Sequence, residues 1–154
     1  MKATFINYQD TGHFSPSVIK YLNNDPELRS FFTYSPDING FAELLKNKNV
    51  IANRETLVSL LNKQYSFENK SEAEVFAPGA GGDLKGAEKS ISLLRLENTY
   101  TITTGHQLNI FAGPLYFIYK IVTAIKLSRQ LKEAFPDKNF VPVYWMASED
   151  HDFA

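Results

Sequence analysis

A strand–helix–strand pattern in the last third of the chain limits the folds that this sequence can adopt. Residues 100–104, YTITT, are rich in β-branched and aromatic side chains, which is typical of a strand. A longer segment after residue 113 carries apolar residues at intervals of three and four, Leu115, Ile118, Val122 and Ile125, as one face of a helix does. Residues 140–147, FVPVYWMA, are apolar at nearly every position, which predicts a second strand buried on both faces.

Two strands joined by a helix of this length form a βαβ unit, which is parallel and right-handed. The pattern therefore predicts an α/β fold, in which residues 99–154 begin a doubly wound, Rossmann-like core and leave it incomplete. In such a sheet, ligands bind beyond the carboxyl ends of the strands. Any functional residues are expected at those two ends.

The first 98 residues predict a helical lead-in to this core. Capping residues stand ahead of apolar residues at helical spacing, at Ser15-Pro16, Asp25-Pro26, Asp37 and Asn53. A further short helix is expected over residues 88–96, after a glycine-rich stretch at residues 77–86, APGAGGDLKG. That stretch has glycines at P-loop spacing but lacks the lysine that would meet a phosphate, so we interpret it as a surface loop.

Composition excludes several classes of function. The chain has 154 residues and no cysteine, so disulfides, thiolate nucleophiles and cysteine-ligated zinc are excluded, and a reducing cytoplasm is the expected location. A formal net charge of −1 gives no basic footprint for nucleic acid. No apolar run approaches the roughly 20 residues of a membrane span, so we expect a soluble protein.

The first polar cluster follows the first predicted strand, where Thr104, Gly105, His106 and Gln107 lead toward the helix. Glycine permits a turn or the close approach of a ligand to the backbone. A histidine can donate or accept a hydrogen bond or carry a proton near neutral pH. An amide side chain can both donate hydrogen bonds to polar groups and accept them.

Gly113 and Pro114 then open the helix, whose N-terminus favours an anion. The alternative is that the Gly-Pro pair is only a good helix start and that His106 is a turn residue. By default Tyr116 and Tyr119 are interpreted as packing residues.

The second polar cluster, SEDHD at residues 148–152, follows the second predicted strand. Glu149, Asp150 and His151 could ligate a divalent metal, position an amine substrate or supply a general base. Asp152 also fits a capping acid for a following helix. Trp145 and Met146, just before the cluster, are expected in the core. If the strands are parallel neighbours, the two clusters lie side by side.

These residues also carry a family resemblance. The stretch TGHQLNIFAGPLYFIYKIVTAIKLSRQL, followed by VPVYWMASEDHDF, resembles the signature region of the cysteine-adding enzymes, or cysteine ligases, of bacillithiol biosynthesis. The resemblance covers about residues 99–153 and extends more weakly over the helical lead-in. It implies a Rossmann-like core of the type found in class I aminoacyl-tRNA synthetases and nucleotidyltransferases.

The resemblance implies a ligase that forms an amide bond between cysteine and the amine of glucosaminyl malate, with ATP activating the cysteine carboxylate. It places His106, Glu149, Asp150 and His151 in catalytic roles and assigns binding roles to Thr104, Gly105, Gln107, Gly113 and Pro114. No resident metal is implied. A coiled-coil arm and a homodimer are expected in the full-length protein.

One motif departs from the related synthetases, which place His-x-Gly-His at the first strand-to-helix joint. Residues 111–114 here are Phe-Ala-Gly-Pro, so we expect any phosphate-stabilising imidazole to be that of His106 or to come from elsewhere in the protein. Because family members are several times longer, the chain is expected to be an N-terminal fragment that is inactive alone. Two other functions stay open: a metal-dependent hydrolase or phosphotransfer domain using Asp150, His151 and Asp152, and a non-catalytic fragment that persists by associating.

Overall fold

The computed structural model describes residues 4–47, 52–65, 84–108 and 113–147. The chain divides into two compact units, Met1–Val50 and Ile51–Ala154. The predicted boundary at residue 98 stays a prediction. Across the four described ranges, no helix combines the length and the apolar character that crossing a membrane requires.

The first unit consists of short helices, and those after the first begin at the predicted capping residues. Ser15 Oγ accepts a hydrogen bond from the Val18 N–H at 3.4 Å, and Asp37 Oδ1 accepts one from the Gly40 N–H at 2.9 Å. Such caps satisfy N–H groups that have no partner within the helix. The elements are a 3₁₀-helix at Tyr8–Thr11, α1 at Pro16–Leu22, a 3₁₀-helix at Pro26–Phe31 and α2 at Ile38–Asn47.

The second unit contains the predicted strand–helix–strand pattern, preceded by two helices. Its elements are α3 at Arg54–Tyr65, α4 at Leu84–Leu93, β1 at Thr99–Gln107, α5 at Leu115–Ala134 and β2 at Asn139–Ala147. Asn53 begins α3 as predicted, because its Oδ1 accepts the Thr56 N–H at 3.0 Å.

The two strands are parallel neighbours, which confirms the βαβ unit. Their register runs from Thr99 opposite Asn139 to Gln107 opposite Ala147. Both strands therefore end at the same edge of the sheet, where a ligand site shared by the two strands would lie.

Helices cover both faces of this sheet, as in a doubly wound fold. Aromatic contacts hold α5 on one face. The ring centroids of Phe117 and Tyr144 are 5.3 Å apart, and those of Phe135, the residue after α5, and Phe140 are 6.3 Å apart. Since side chains alternate along a strand, Val141 faces the other way. It forms a hydrophobic core with Val58 of α3 and with residues at the end of α4, Ile91 and Leu94.

The apolar face predicted for α5 is mostly not the face that packs on the sheet, and of its four residues only Ile125 is half-buried. Leu115, Ile118 and Val122 are 65%, 43% and 53% exposed, whereas the buried residues are Ala124, Ser128 and Leu131. The helix carries apolar residues on two faces, so periodicity alone could not choose between them. The packed face includes a serine because Ser128 Oγ donates to the Ala124 carbonyl at 2.8 Å, which satisfies its hydroxyl group.

Two other predictions about packing need correction. Trp145 and Met146 are 58% and 59% exposed, so β2 is not buried on both faces and these side chains are not core residues. The core on the α3 and α4 side includes Val141, with Val143 packed against it. The described residues leave the side chains of Trp145 and Met146 largely exposed to solvent.

The predicted loop at residues 77–86 ends earlier than expected, because α4 begins at Leu84 rather than at residue 88. Apolar residues at 84, 87, 91 and 94 follow helical spacing, which overrides the single glycine among them at a cost of about 1 kcal/mol. The rest of the glycine-rich stretch, residues 77–83, lies outside the described residues.

Candidate functional site

The Gly-His-Gln segment belongs to β1 and does not form the joint that follows it. Gly105, His106 and Gln107 pair with residues 145–147 of β2, so of the two roles expected for Gly105, the turn does not occur. A Cβ added to Gly105 would lie 2.6 Å from the carbonyl oxygen of Trp145. The glycine is therefore needed for the close approach of the two strands. Left-handed backbone occurs instead at Gly113, with φ of 63°.

The imidazole of His106 is held at both ring nitrogens. Nδ1 lies 3.1 Å from the carbonyl oxygen of Gln107. Because a carbonyl oxygen only accepts, Nδ1 carries the proton. Nε2 lies 2.6 Å from the hydroxyl oxygen of Tyr116. In a neutral ring Nε2 then has the lone pair, and the Tyr116 hydroxyl donates to it.

Two residues from the first turns of α5 lie against this end of β1. The ring centroids of Tyr116 and His106 are 5.1 Å apart. Lys120 Nζ donates to the Gly105 carbonyl at 3.3 Å and lies 5.6 Å from the centre of the Tyr116 ring. The fourth-residue spacing places Tyr116 and Lys120 on one face of the helix. A phenol, an imidazole and an ammonium thus lie together.

The start of α5 confirms the prediction that Gly113 and Pro114 open the helix. Pro114 is the N-cap residue, and its carbonyl accepts the Phe117 N–H at 2.9 Å. Proline has no side-chain group with which to cap the first turn. The N–H groups of that turn and the positive end of the helix dipole therefore suit an anion.

A groove of about 410 Å³ runs between β1 and α5 beside these groups. Besides Lys120 and aliphatic side chains, its lining includes five hydroxyl-bearing residues, Thr103, Thr104, Tyr116, Tyr119 and Thr123. Hydroxyl groups and one ammonium suit a polar small molecule that carries negative charge. A hollow of about 460 Å³ lies against the second half of α5 and includes Arg129 and Phe140. We assign the site to the groove that reaches the carboxyl end of β1.

The structure brings together most of the first predicted cluster. His106 is in contact with the first turn of α5, and Thr104 lines the adjoining groove. Gln107 ends β1 opposite Ala147. The roles predicted for these residues stay predictions.

The second cluster, with Glu149, Asp150, His151 and Asp152, lies outside the described residues. Its predicted roles, including metal ligation, stay predictions. In the ranges that the structure describes, no three histidine, aspartate or glutamate side chains are grouped so as to hold a metal.

Sequence reasoning missed Tyr116 and Lys120. Tyr116 was interpreted as a packing residue, yet it is 49% exposed and is hydrogen-bonded to the predicted histidine. The available signal was their spacing of four residues, directly after the Gly-Pro pair that starts the helix. Residues on one face of a first helical turn are candidates to contact whatever the preceding strand end binds.

Comparison with known proteins gives a consistent family match. Residues 1–154 match the family described as "Bacillithiol biosynthesis BshC, N-terminal Rossmann-like domain". A Flavobacterium psychrophilum protein named "Putative cysteine ligase BshC" is 46% identical over 99% of this chain and 27% of its own length. Proteins of the same name from Flavobacterium johnsoniae and Cytophaga hutchinsonii are 43% and 39% identical, over 99% and 97% of this chain. The chain thus spans about a quarter of the length of these relatives, 27% and 26% for the latter two.

Proposed function

Because the chain belongs to the bacillithiol biosynthesis BshC family, through that family's N-terminal Rossmann-like domain, we propose that it is part of a cysteine ligase. The proposed reaction forms an amide bond between the carboxyl group of cysteine and the amine of glucosaminyl malate. The observation that carries this proposal is the match of all 154 residues to the family.

The geometry supports a location for this chemistry at the carboxyl ends of β1 and β2. Both strands end at one edge, with Gln107 opposite Ala147. His106 lies there, held by the Gln107 carbonyl and by Tyr116. An imidazole held in one orientation suits general base catalysis, in which the amine must lose a proton as it attacks the acyl carbon. We assign binding roles to Thr104, Gly105 and Gln107 beside it.

An anionic substrate group fits the same end of the sheet. The malate part of the acceptor carries carboxylates, and the groove beside β1 contains the Lys120 ammonium. The first turn of α5, after Gly113 and Pro114, adds backbone N–H groups that have no side-chain cap from Pro114. These groups also suit a phosphate. We therefore include ATP as the proposed co-substrate, which would supply activation of the cysteine carboxylate.

Glu149, Asp150 and His151 complete the proposed catalytic set, in contact with the amine substrate. From the same family membership we also propose a cytoplasmic homodimer, formed through a coiled-coil arm of the full-length protein. Sedimentation of the full-length protein tests this assembly, since a monomer at micromolar concentration would contradict it.

The test of the reaction is a reconstitution with the full-length protein. Cysteine, glucosaminyl malate and ATP are supplied together, and the amide product is detected by its mass. We expect product only when all three compounds are present. A folded full-length protein that forms no amide from them would overturn the proposed function, and product formed without ATP would overturn the proposed co-substrate.

A further inference from the structure

The environment of His106 restricts how this histidine can act on a substrate. Nδ1 is engaged by the Gln107 carbonyl at 3.1 Å, and Nε2 by the Tyr116 hydroxyl at 2.6 Å. A substrate amine could reach Nε2 only by displacing that hydroxyl. The imidazole is partly buried, whereas Tyr116 is 49% exposed and lines the groove beside β1. The phenol is therefore the more accessible end of the hydrogen-bonded pair.

We propose that Tyr116 is a catalytic residue that meets the substrate amine, and that His106 acts through Tyr116 as the acceptor of its proton. This inference rests on the proposed amide-forming function. It reverses the simplest assignment, in which the histidine contacts the substrate directly and the tyrosine is a packing residue.

The proton transfers balance along this path. As the amine nitrogen bonds to the acyl carbon, the bond from that carbon to its phosphate leaving group breaks, and the leaving group departs with the electron pair. The amine gives a proton to the Tyr116 oxygen while the original hydroxyl proton passes to Nε2 of His106. Tyr116 ends neutral, and His106 ends as an imidazolium.

The surroundings stabilise both partners in this transfer. The Gln107 carbonyl accepts from Nδ1, so it favours the imidazolium that the transfer creates. The Lys120 ammonium lies over the Tyr116 ring at 5.6 Å from its centroid and is held by the Gly105 carbonyl. Its positive charge favours electron density on the phenol oxygen during the transfer. Two contacts with backbone carbonyls, those of Gln107 and Gly105, thus hold His106 and Lys120 in place around Tyr116.

Kinetics of the full-length protein provide the first test. We expect Tyr116→Phe to lower kcat by roughly 100-fold or more, the usual contribution of a general acid or base, with KM changed by less than about threefold. Tyr100→Phe is the matched control because it removes the same hydroxyl from the opposite end of β1, where the ring stacks on Phe140 at 6.0 Å. Wild-type kcat in Tyr116→Phe, or an equal loss in Tyr100→Phe, would overturn the proposal.

A double-mutant cycle tests whether the two residues act as one unit. We expect Tyr116→Phe combined with His106→Gln to lose no more activity than the more damaging single variant. Either change alone already prevents proton transfer from Tyr116 to His106, so the second change removes nothing further. Losses that multiply would show that the residues act independently and would overturn the relay.

A spectroscopic measurement separates this inference from the proposed function. The wild-type protein is labelled with ¹⁵N-histidine and measured at a pH where the His106 ring is neutral. The His106 signal is assigned by its loss in His106→Gln. We expect it to be that of the Nδ1–H tautomer. In Tyr116→Phe the Gln107 carbonyl still holds the proton on Nδ1, but the Nε2 resonance should move toward that of a ring nitrogen whose lone pair accepts no hydrogen bond, because the donor to Nε2 is gone. An Nε2 resonance unchanged in Tyr116→Phe would overturn the Tyr116 contact whatever the activity. A wild-type protein that forms no amide contradicts the proposed function instead.

Discussion

Gly105 on β1 lies so close to Trp145 on β2 that an added Cβ would come within 2.6 Å of the Trp145 carbonyl oxygen. The obstacle is backbone, which cannot rotate away as a flexible side chain can. We expect Gly105→Ala to lower the free energy of unfolding by about 1–3 kcal/mol, the usual cost of overpacking. Urea denaturation measures this change. Thr101→Ala, an exposed position on the same strand, is the control and should cost less than about 1 kcal/mol; equal losses would contradict the close approach.

The face of α5 that packs on the sheet can be tested with two leucines. Leu131 is fully buried and Leu115 is 65% exposed. We expect Leu131→Ala to cost about 2–5 kcal/mol, because it removes buried apolar surface and leaves a cavity. Leu115→Ala makes the same chemical change and should stay within about 0.5 kcal/mol. Chemical denaturation of both variants decides between the faces, and the reverse order of costs would restore the face that periodicity predicted.

Arg54 joins three elements of the second unit through two backbone carbonyls. Its guanidinium donates to the Leu94 carbonyl at 2.9 Å and to the Thr99 carbonyl at 3.2 Å. Arg54→Ala leaves both partly buried oxygens without this donor, so we expect a loss of about 1–3 kcal/mol. Arg95→Ala is the control, because Arg95 pairs with Glu55 at an exposed site and should cost less than about 1 kcal/mol. Similar losses in the two variants would contradict the role of Arg54.

Asp137 provides a pH-dependent prediction. The hydrogen bond from Lys138 lowers the pKa of the Asp137 carboxyl group below its ordinary value. A lowered folded-state pKa adds stability above the unfolded-state pKa, and this contribution is lost as the pH falls through the folded-state pKa. We expect Lys138→Ala to raise the Asp137 pKa in an NMR titration and Lys126→Ala to leave it unchanged. Because the carboxylate is exposed, high salt should weaken the difference; an unchanged pKa in Lys138→Ala would contradict the pairing.

Local signals in the sequence predicted much of the secondary structure. Capping residues such as Ser15, Asp37 and Asn53 began helices as expected, because each satisfies N–H groups within a few residues of itself. The parallel pairing of the strands followed from their length and connection. Helix caps depend on residues that are close in the chain, and parallel pairing depends on the order and length of the elements. Both can be recognised in a single sequence.

The sequence predicted the packing of side chains less well than the secondary structure. Apolar residues lie on two faces of α5, and the contacts with the two strands, such as that between Phe117 and Tyr144, decide which face is covered. The end of β1 was misjudged for a similar reason. Gly105 looks like a turn residue in isolation, and its role depends on Trp145, forty residues further along the chain. His106 was selected from its chemistry, but its partner Tyr116 follows from the way α5 packs on the sheet.

The measurement that tests the central claim most directly is amide formation by the full-length protein carrying His106→Ala. We expect its rate of product formation from cysteine, glucosaminyl malate and ATP to fall by about 100-fold or more. Its free energy of unfolding should stay within about 1–2 kcal/mol of the wild type, since the change removes a partly exposed side chain. A folded variant that makes the amide at the wild-type rate would show that the carboxyl end of β1 is not the site of catalysis.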